Sequence, residues 1–137
     1  MEHNYVRALI KNPKGEYLMV YNVTNNKGKG EWNFPGGKGD PGEPNEEAVI
    51  RETQEEINLD LTNLKLVFET LLVWPGYRNN IPQHGYYYEA KADIKKLHLN
   101  EPDKITKAEF MSKRKIANLQ KPVSLAVHAY LEYLKIK

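Results

Sequence analysis

The stretch from Glu43 to Glu56 constrains this chain more than any other, because it holds six glutamates and one arginine and no lysine. Carboxylates packed this closely must either spread over a solvated helix face or share a cation. On an α-helix, turning about 100° per residue, Glu52, Glu55 and Glu56 fall within one arc of about 100°. Ile50, Thr53 and Ile57 fall on another, which can face a core. The spacing therefore predicts a helix over about 45–57 with a packing side and a carboxylate side. Three like charges at i, i+3 and i+4 cost a few tenths of a kcal/mol per pair. Arg51, four residues after Glu47 and four before Glu55, relieves part of this. A divalent cation relieves far more, and Mg²⁺ favours hard oxygen ligands at about 2.0–2.1 Å.

The residues before the helix fit the same purpose. Pro35-Gly36-Gly37 reads as a sharp turn whose glycines let backbone approach a metal or ligand closely, the Gly36 carbonyl being one more hard oxygen. Lys38 follows at once and is a candidate for a phosphate oxygen.

Along the rest of the chain, Tyr5 to Lys11 and Glu16 to Tyr21 read as strands joined by Pro13-Lys14-Gly15. A Gly/Asn/Lys-rich loop covers Asn22 to Glu31. Leu61 to Trp74 and Tyr86 to Ala92 read as further strands, with Ala108 to Ser112 a short one. Val123, Val127, Tyr130, Leu131 and Leu134 stand at helical spacing near the end. At 137 residues this is the length of a single domain, 1–137, of α+β class with mixed strands and helices.

With the residues in place, a resemblance appears. Read from Gly37, the chain runs G-KGDPG-E-PNEEAVI-RE-T-Q-EE-I-N-L, and Gly37, Glu43, Arg51, Glu52, Glu55, Glu56 and Leu59 stand in register with the Nudix signature. The lead-in Trp32-Asn33-Phe34-Pro35-Gly36-Gly37-Lys38 is similar to that of MutT-like members. Three positions depart from the pattern. Asn58 replaces the glycine after the helix, where a left-handed residue is expected. Thr53 replaces an aliphatic residue, its methyl expected to pack and its hydroxyl to bond back to the backbone. Pro44 stands where a capping Ser or Thr is common, leaving Asn45 as the expected cap.

The resemblance implies an α/β/α sandwich around a mixed sheet and a Mg²⁺-dependent hydrolase, with Mn²⁺ able to substitute. It implies that Glu52, Glu55 and Glu56 bind the metal with the Gly36 carbonyl, and that Arg51 and Glu43 are structural, the arginine orienting the catalytic glutamates. Glu52 is the first choice for deprotonating the attacking water. A further carboxylate from a later loop is expected, and Glu101, Asp103 and Glu89 are the candidates, each of which is otherwise a solvated acid.

Substrate is less constrained. Trp74, Tyr77 and Arg78 either stack on a base and pair with phosphate or simply anchor a loop. Asn118 resembles a purine-contacting asparagine of MutT-like enzymes, or else caps the chain before the last helix. Pro75 and Tyr77 lie at spacings past the box that point to different substrates, ADP-ribose and dinucleoside polyphosphates. Small size and MutT-like flanks favour a nucleoside triphosphate, oxidised or not, hydrolysed to the monophosphate and pyrophosphate. A non-catalytic nucleotide-sensing module is the competing class, and such modules usually lose box carboxylates that this chain keeps. Tyr86-Tyr87-Tyr88 at strand spacing is expected to serve the core more than a ligand.

Composition closes other routes. The chain has no cysteine, so disulfides, thiolate nucleophiles and Cys-ligated metals are excluded. A net charge of +2 is too small to argue for a nucleic-acid partner. The N-terminal apolar run is too short for a signal peptide or membrane span, which makes a cytoplasmic protein with a small nucleotide substrate the expectation. A homodimer is a further expectation, since members of this family often dimerise.

Overall fold

The computed structural model describes residues 3–23, 29–73 and 81–136. Seven strands appear in them: β1 (His3–Ile10), β2 (Tyr17–Val23), β3 (Gly30–Asn33), β4 (Gly36–Lys38), β5 (Thr62–Leu72), β6 (Gln83–Lys91) and β7 (Ile105–Met111). The helices are α1 (Asn45–Ile57), the short α2 (Lys113–Ala117) and α3 (Leu125–Ile136), with one 3-10 turn at Ile94–Lys96. The strands form two sheets, ordered β4-β1-β6-β5 and β3-β2-β7. Only β1 and β6 run parallel, so the first sheet is mixed, as the α+β expectation requires.

Strand alternation divides the apolar residues into two cores, one on each face. From β1, Val6, Ala8 and Ile10 join Leu18 and Val20 of β2 and Ala48, Val49 and Ile57 of α1 in one. Tyr5 and Leu9 join Tyr17, Met19, Phe34 and Tyr87 with Ala126, Val127 and Tyr130 of α3 in the other. Each fully buried aliphatic side chain contributes roughly 1.5–3 kcal/mol of transfer free energy, so α1 is held by its own apolar stripe. The tyrosine triplet divides the same way. Tyr87 is fully buried and Tyr88 nearly so, on opposite faces, while Tyr86 stacks on His84 at 4.7 Å.

Helix α1 occupies the expected residues, and Asn58 ends it in the left-handed region at φ 61°, ψ 30°, its N–H donating to the Gln54 carbonyl. Its start differs. Pro44 is the cap position and no side chain caps the helix, because Asn45 is already its first helical residue. Glu46 and Glu47 instead place negative charge in the first turn, where it complements the helix dipole. Thr53 is fully buried as expected, but its hydroxyl finds no hydrogen-bond partner. Ile50 is only half-buried, and Ala48 and Val49 take the core face instead. Finally, Gly36–Lys38 is not a turn but a strand. It pairs antiparallel with β1 through Tyr5–Lys38, Val6–Gly37 and Arg7–Gly36.

Candidate active site

The site is built where β4 meets α1. Gly36 has φ +144°, a conformation that L side chains rarely adopt, and a Cβ there would overlap the Val6 carbonyl oxygen across the ladder. A Cβ on Gly37 would stand 2.5 Å from a carboxylate oxygen of Glu52. Gly36 is therefore demanded by the backbone of the sheet, whereas at Gly37 an added Cβ would meet only the movable end of the Glu52 side chain. The backbone N–H of Gly36 donates to Oε1 of Glu56 at 3.0 Å, so the second turn of the carboxylate stripe is fastened to the strand.

Arg51 organises the acidic face. Its Nε and Nη2 donate to the two carboxylate oxygens of Glu43 at 2.8 and 2.9 Å, a bidentate pair. Its Nη1 donates to Glu55 at 3.2 Å and lies 3.2 Å from Glu52. The Lys38 carbonyl accepts weakly at 3.5 Å. Glu43 also accepts from the Asp40 N–H at 3.0 Å. The Arg51 bonds, then the Asp40 bond, hold the Glu43 carboxyl far below its usual range, at about 2. The same partners, Glu43 foremost, push the guanidinium's proton affinity up.

The other two carboxylates behave oppositely. Burial pushes Glu56 up to about 7, only partly offset by the Gly36 N–H and the charge of Arg7. Burial raises Glu52 as well, with Arg51 opposing and Glu55 reinforcing. One helix face thus carries two acids with elevated proton affinity, while the arginine-bound Glu43, held ionised, stands just before the helix begins. Perturbations of this kind cluster at functional sites. Among the described residues, no three acidic or histidine side chains are gathered into a ready ligand set. Glu55 leans instead toward Arg51.

A later loop brings in one more acid. Following the 3-10 turn, the His98 and Asn100 N–H groups donate to the Ile57 and Glu56 carbonyls at 3.0 Å each. The Asn100 side-chain amide donates to the Gln54 carbonyl. This segment satisfies the otherwise open C-terminal end of α1, and in doing so sets Glu101 near enough to Glu56 for its charge to raise that group. Of the three later-loop candidates, only Glu101 is brought to the box. Glu89 lies on β6, paired with Lys11 at 3.6 Å, and Asp103 is exposed.

Asn118 is placed as a cap. Its side-chain amide donates to the Arg114 carbonyl at 3.0 Å, closing α2. It also lines a cavity of about 400 Å³ with Trp32, Lys107, Lys115, Leu119, Gln120 and Lys121, which includes no box carboxylate. The Lys38 side chain is half-exposed at the end of β4. Trp74, Tyr77 and Arg78 lie outside the described residues. Sequence reading passed over Arg7, whose charge acts on Glu31, Glu52 and Glu56 together. An arginine inside the apolar run Val6–Ile10 was the available signal.

Comparison with known proteins agrees with this geometry. The sequence model of the NUDIX domain matches residues 1–130. The crystal structure of a MutT NUDIX hydrolase from Burkholderia pseudomallei superposes with a TM-score of 0.79 at 26% identity, covering 96% of this chain and 97% of that one. The E. coli ORF135 protein superposes at 0.75 with 21% identity, over 98% and 89% of the two chains. An 8-oxo-dGTP diphosphatase of Proteus vulgaris is 50% identical over 38 residues, which is 28% of this chain and 34% of that protein's length. The chain belongs to the Nudix hydrolase family, and the reaction class that goes with it is pyrophosphohydrolysis. Among the described residues, no helix is long and apolar enough to cross a membrane.

Proposed function

We propose that this protein is a Mg²⁺-dependent hydrolase of nucleoside triphosphates, releasing a nucleoside monophosphate and pyrophosphate. The observation that carries the reading is the Gly36–Glu56 bond beside the approach of Glu52 to Gly37, which sets two carboxylates of α1 against a glycine-lined strand, with Glu55 held next to them by Arg51. The donor set is all hard oxygen, and a half-buried acid of elevated proton affinity gains most from a counter-cation, so the residues fit Mg²⁺. Glu52, Glu55 and Glu56 with the Gly36 carbonyl would hold it. Once bound, the metal supplies neutralisation of the diphosphate and a lowered pKa for the attacking water.

The chain's own groups do the rest. Glu52 accepts the proton of the water, a role suited to a carboxylate that burial has made more basic. Arg51 keeps Glu55 and Glu52 oriented while Glu43 anchors Arg51. Glu101 adds negative charge beside Glu56. Lys38 contacts a phosphate oxygen, and Asn118, Tyr77 and Arg78 are the proposed contacts to the nucleotide. MutT-like neighbours and the segment shared with an 8-oxo-dGTP diphosphatase support an oxidised purine triphosphate as the first substrate to try.

The test is product chromatography on a panel of canonical and oxidised nucleoside triphosphates, ADP-ribose and dinucleoside polyphosphates, with and without Mg²⁺. Metal-dependent release of monophosphate and pyrophosphate, abolished in an E55Q/E56Q double variant, is expected. Turnover of ADP-ribose alone would reassign the substrate. Nucleotide binding without turnover would make the domain a sensor.

A further inference from the structure

Two arginines flank the Gly36–Gly37 strand, and they differ in how far their charge is satisfied. Arg51 has filled its fork with carboxylates. Arg7, opposite Gly36 in β1, has not. Its side chain is half-buried on the face shared with Tyr5 and Leu9, the face that packs against α3. Nη1 donates to the Phe34 carbonyl across a long 3.4 Å, and the guanidinium stands 5.5 Å from the centre of the Tyr5 ring. Nε is buried with no acceptor at all. Among the described residues, no carboxylate forms an ion pair with it, although Glu31, Glu52 and Glu56 all feel its charge.

A half-buried guanidinium with idle donors is costly to hold, since desolvation is offset only when the charge is paired and its donors are met. A neutral ligand would meet the donors and leave the charge. A carboxylate of the chain would meet both, and three are near without closing on it. We infer that Arg7 is a substrate-binding residue, receiving oxygens of a phosphate group of the nucleotide. This rests on the proposed reaction: with the cation at the α1 carboxylates, a diphosphate bound there extends negative charge toward β1. The planar fork of arginine matches two phosphate oxygens at once. Arg51, already spent on Glu43 and Glu55, cannot take that part.

The competing reading makes Arg7 a counter-ion that only eases repulsion among Glu31, Glu52 and Glu56. Calorimetric titration of inorganic pyrophosphate into metal-free and Mg²⁺-loaded protein separates the two, using wild type, R7K and R7Q, with thermal melting to verify folding. The inference expects R7Q to lose about 10- to 100-fold in pyrophosphate affinity, the worth of a charged hydrogen bond or two. R7K recovers only part of it, and in turnover KM rises more than kcat falls. Unchanged affinity in folded R7Q, full recovery by R7K, or no pyrophosphate binding by the wild type in either state overturns it. Arg7-dependent binding in a protein that hydrolyses no nucleotide would sink the proposed reaction and leave this assignment standing.

Discussion

Glu56 accepts the Gly36 N–H at 3.0 Å, so a carboxylate on the acidic face of α1 is hydrogen-bonded to the strand that runs beneath it. That single bond does two things. It fixes the carboxylate's direction, and it draws the group into a site where burial raises its proton affinity to about 7.

The first prediction concerns that burial. A carboxylate whose folded pKa exceeds its unfolded value binds protons more tightly when folded, so in metal-free protein it costs nothing below about pH 4.5 and progressively more up to about 7. The full cost is at most about 3.4 kcal/mol, for a shift from 4.5 to about 7 at 1.36 kcal/mol per pKa unit. E56Q should therefore melt at a higher temperature than wild type in EDTA at pH 8 while losing turnover. Parallel melting and activity assays check this, and a lower melting temperature would contradict it.

Glu43 gives the opposite sign. Its carboxyl, lowered by Arg51 to about 2, contributes stability that is present above pH 4.5 and lost as pH falls toward 2. E43Q should be less stable than wild type at pH 7, and urea titrations should show that gap closing between pH 4.5 and 2. A gap independent of pH would mean the Arg51 pair is not its source.

Arginine at position 51 should resist conservative exchange. R51K cannot span both oxygens of Glu43 and also reach Glu55, so we expect a stability loss of about 1–3 kcal/mol, close to that of R51Q. Denaturant midpoints for the two variants decide it.

Gly37 offers a test of positioning with little effect on the fold. In G37A the new methyl meets the Glu52 carboxylate, which can move where backbone cannot. Displacing that group by an ångström should cost about 100-fold in kcat, with near-native circular dichroism. Activity within a few-fold of wild type would remove Glu52 from the proposed mechanism.

For the later loop, E101Q should lower kcat, whereas D103N and E89Q should not, because only Glu101 stands where its charge reaches Glu56. Steady-state kinetics on the three variants checks it.

The helix was legible in the sequence because its determinants are local. Residue spacing placed α1 at Asn45–Ile57 and set Glu52, Glu55 and Glu56 on one arc, and the resemblance to the Nudix signature marked Asn58 for a left-handed conformation. The pairing of Arg51 with Glu55 is likewise a consequence of one helical turn. Strand β4 was not legible, since Pro-Gly-Gly has turn composition and becomes a strand only by pairing with β1, some thirty residues away in sequence. Nor was the choice of Glu101, which depends on the 98–100 backbone closing the open carbonyls of α1. Burial of Glu56 and the idle guanidinium of Arg7 likewise exist only once β1, β4 and α1 have met. Periodicity and residue type determined which side chains share a face; the packing of distant strands decided which of them are desolvated, which are paired, and which remain open for a ligand.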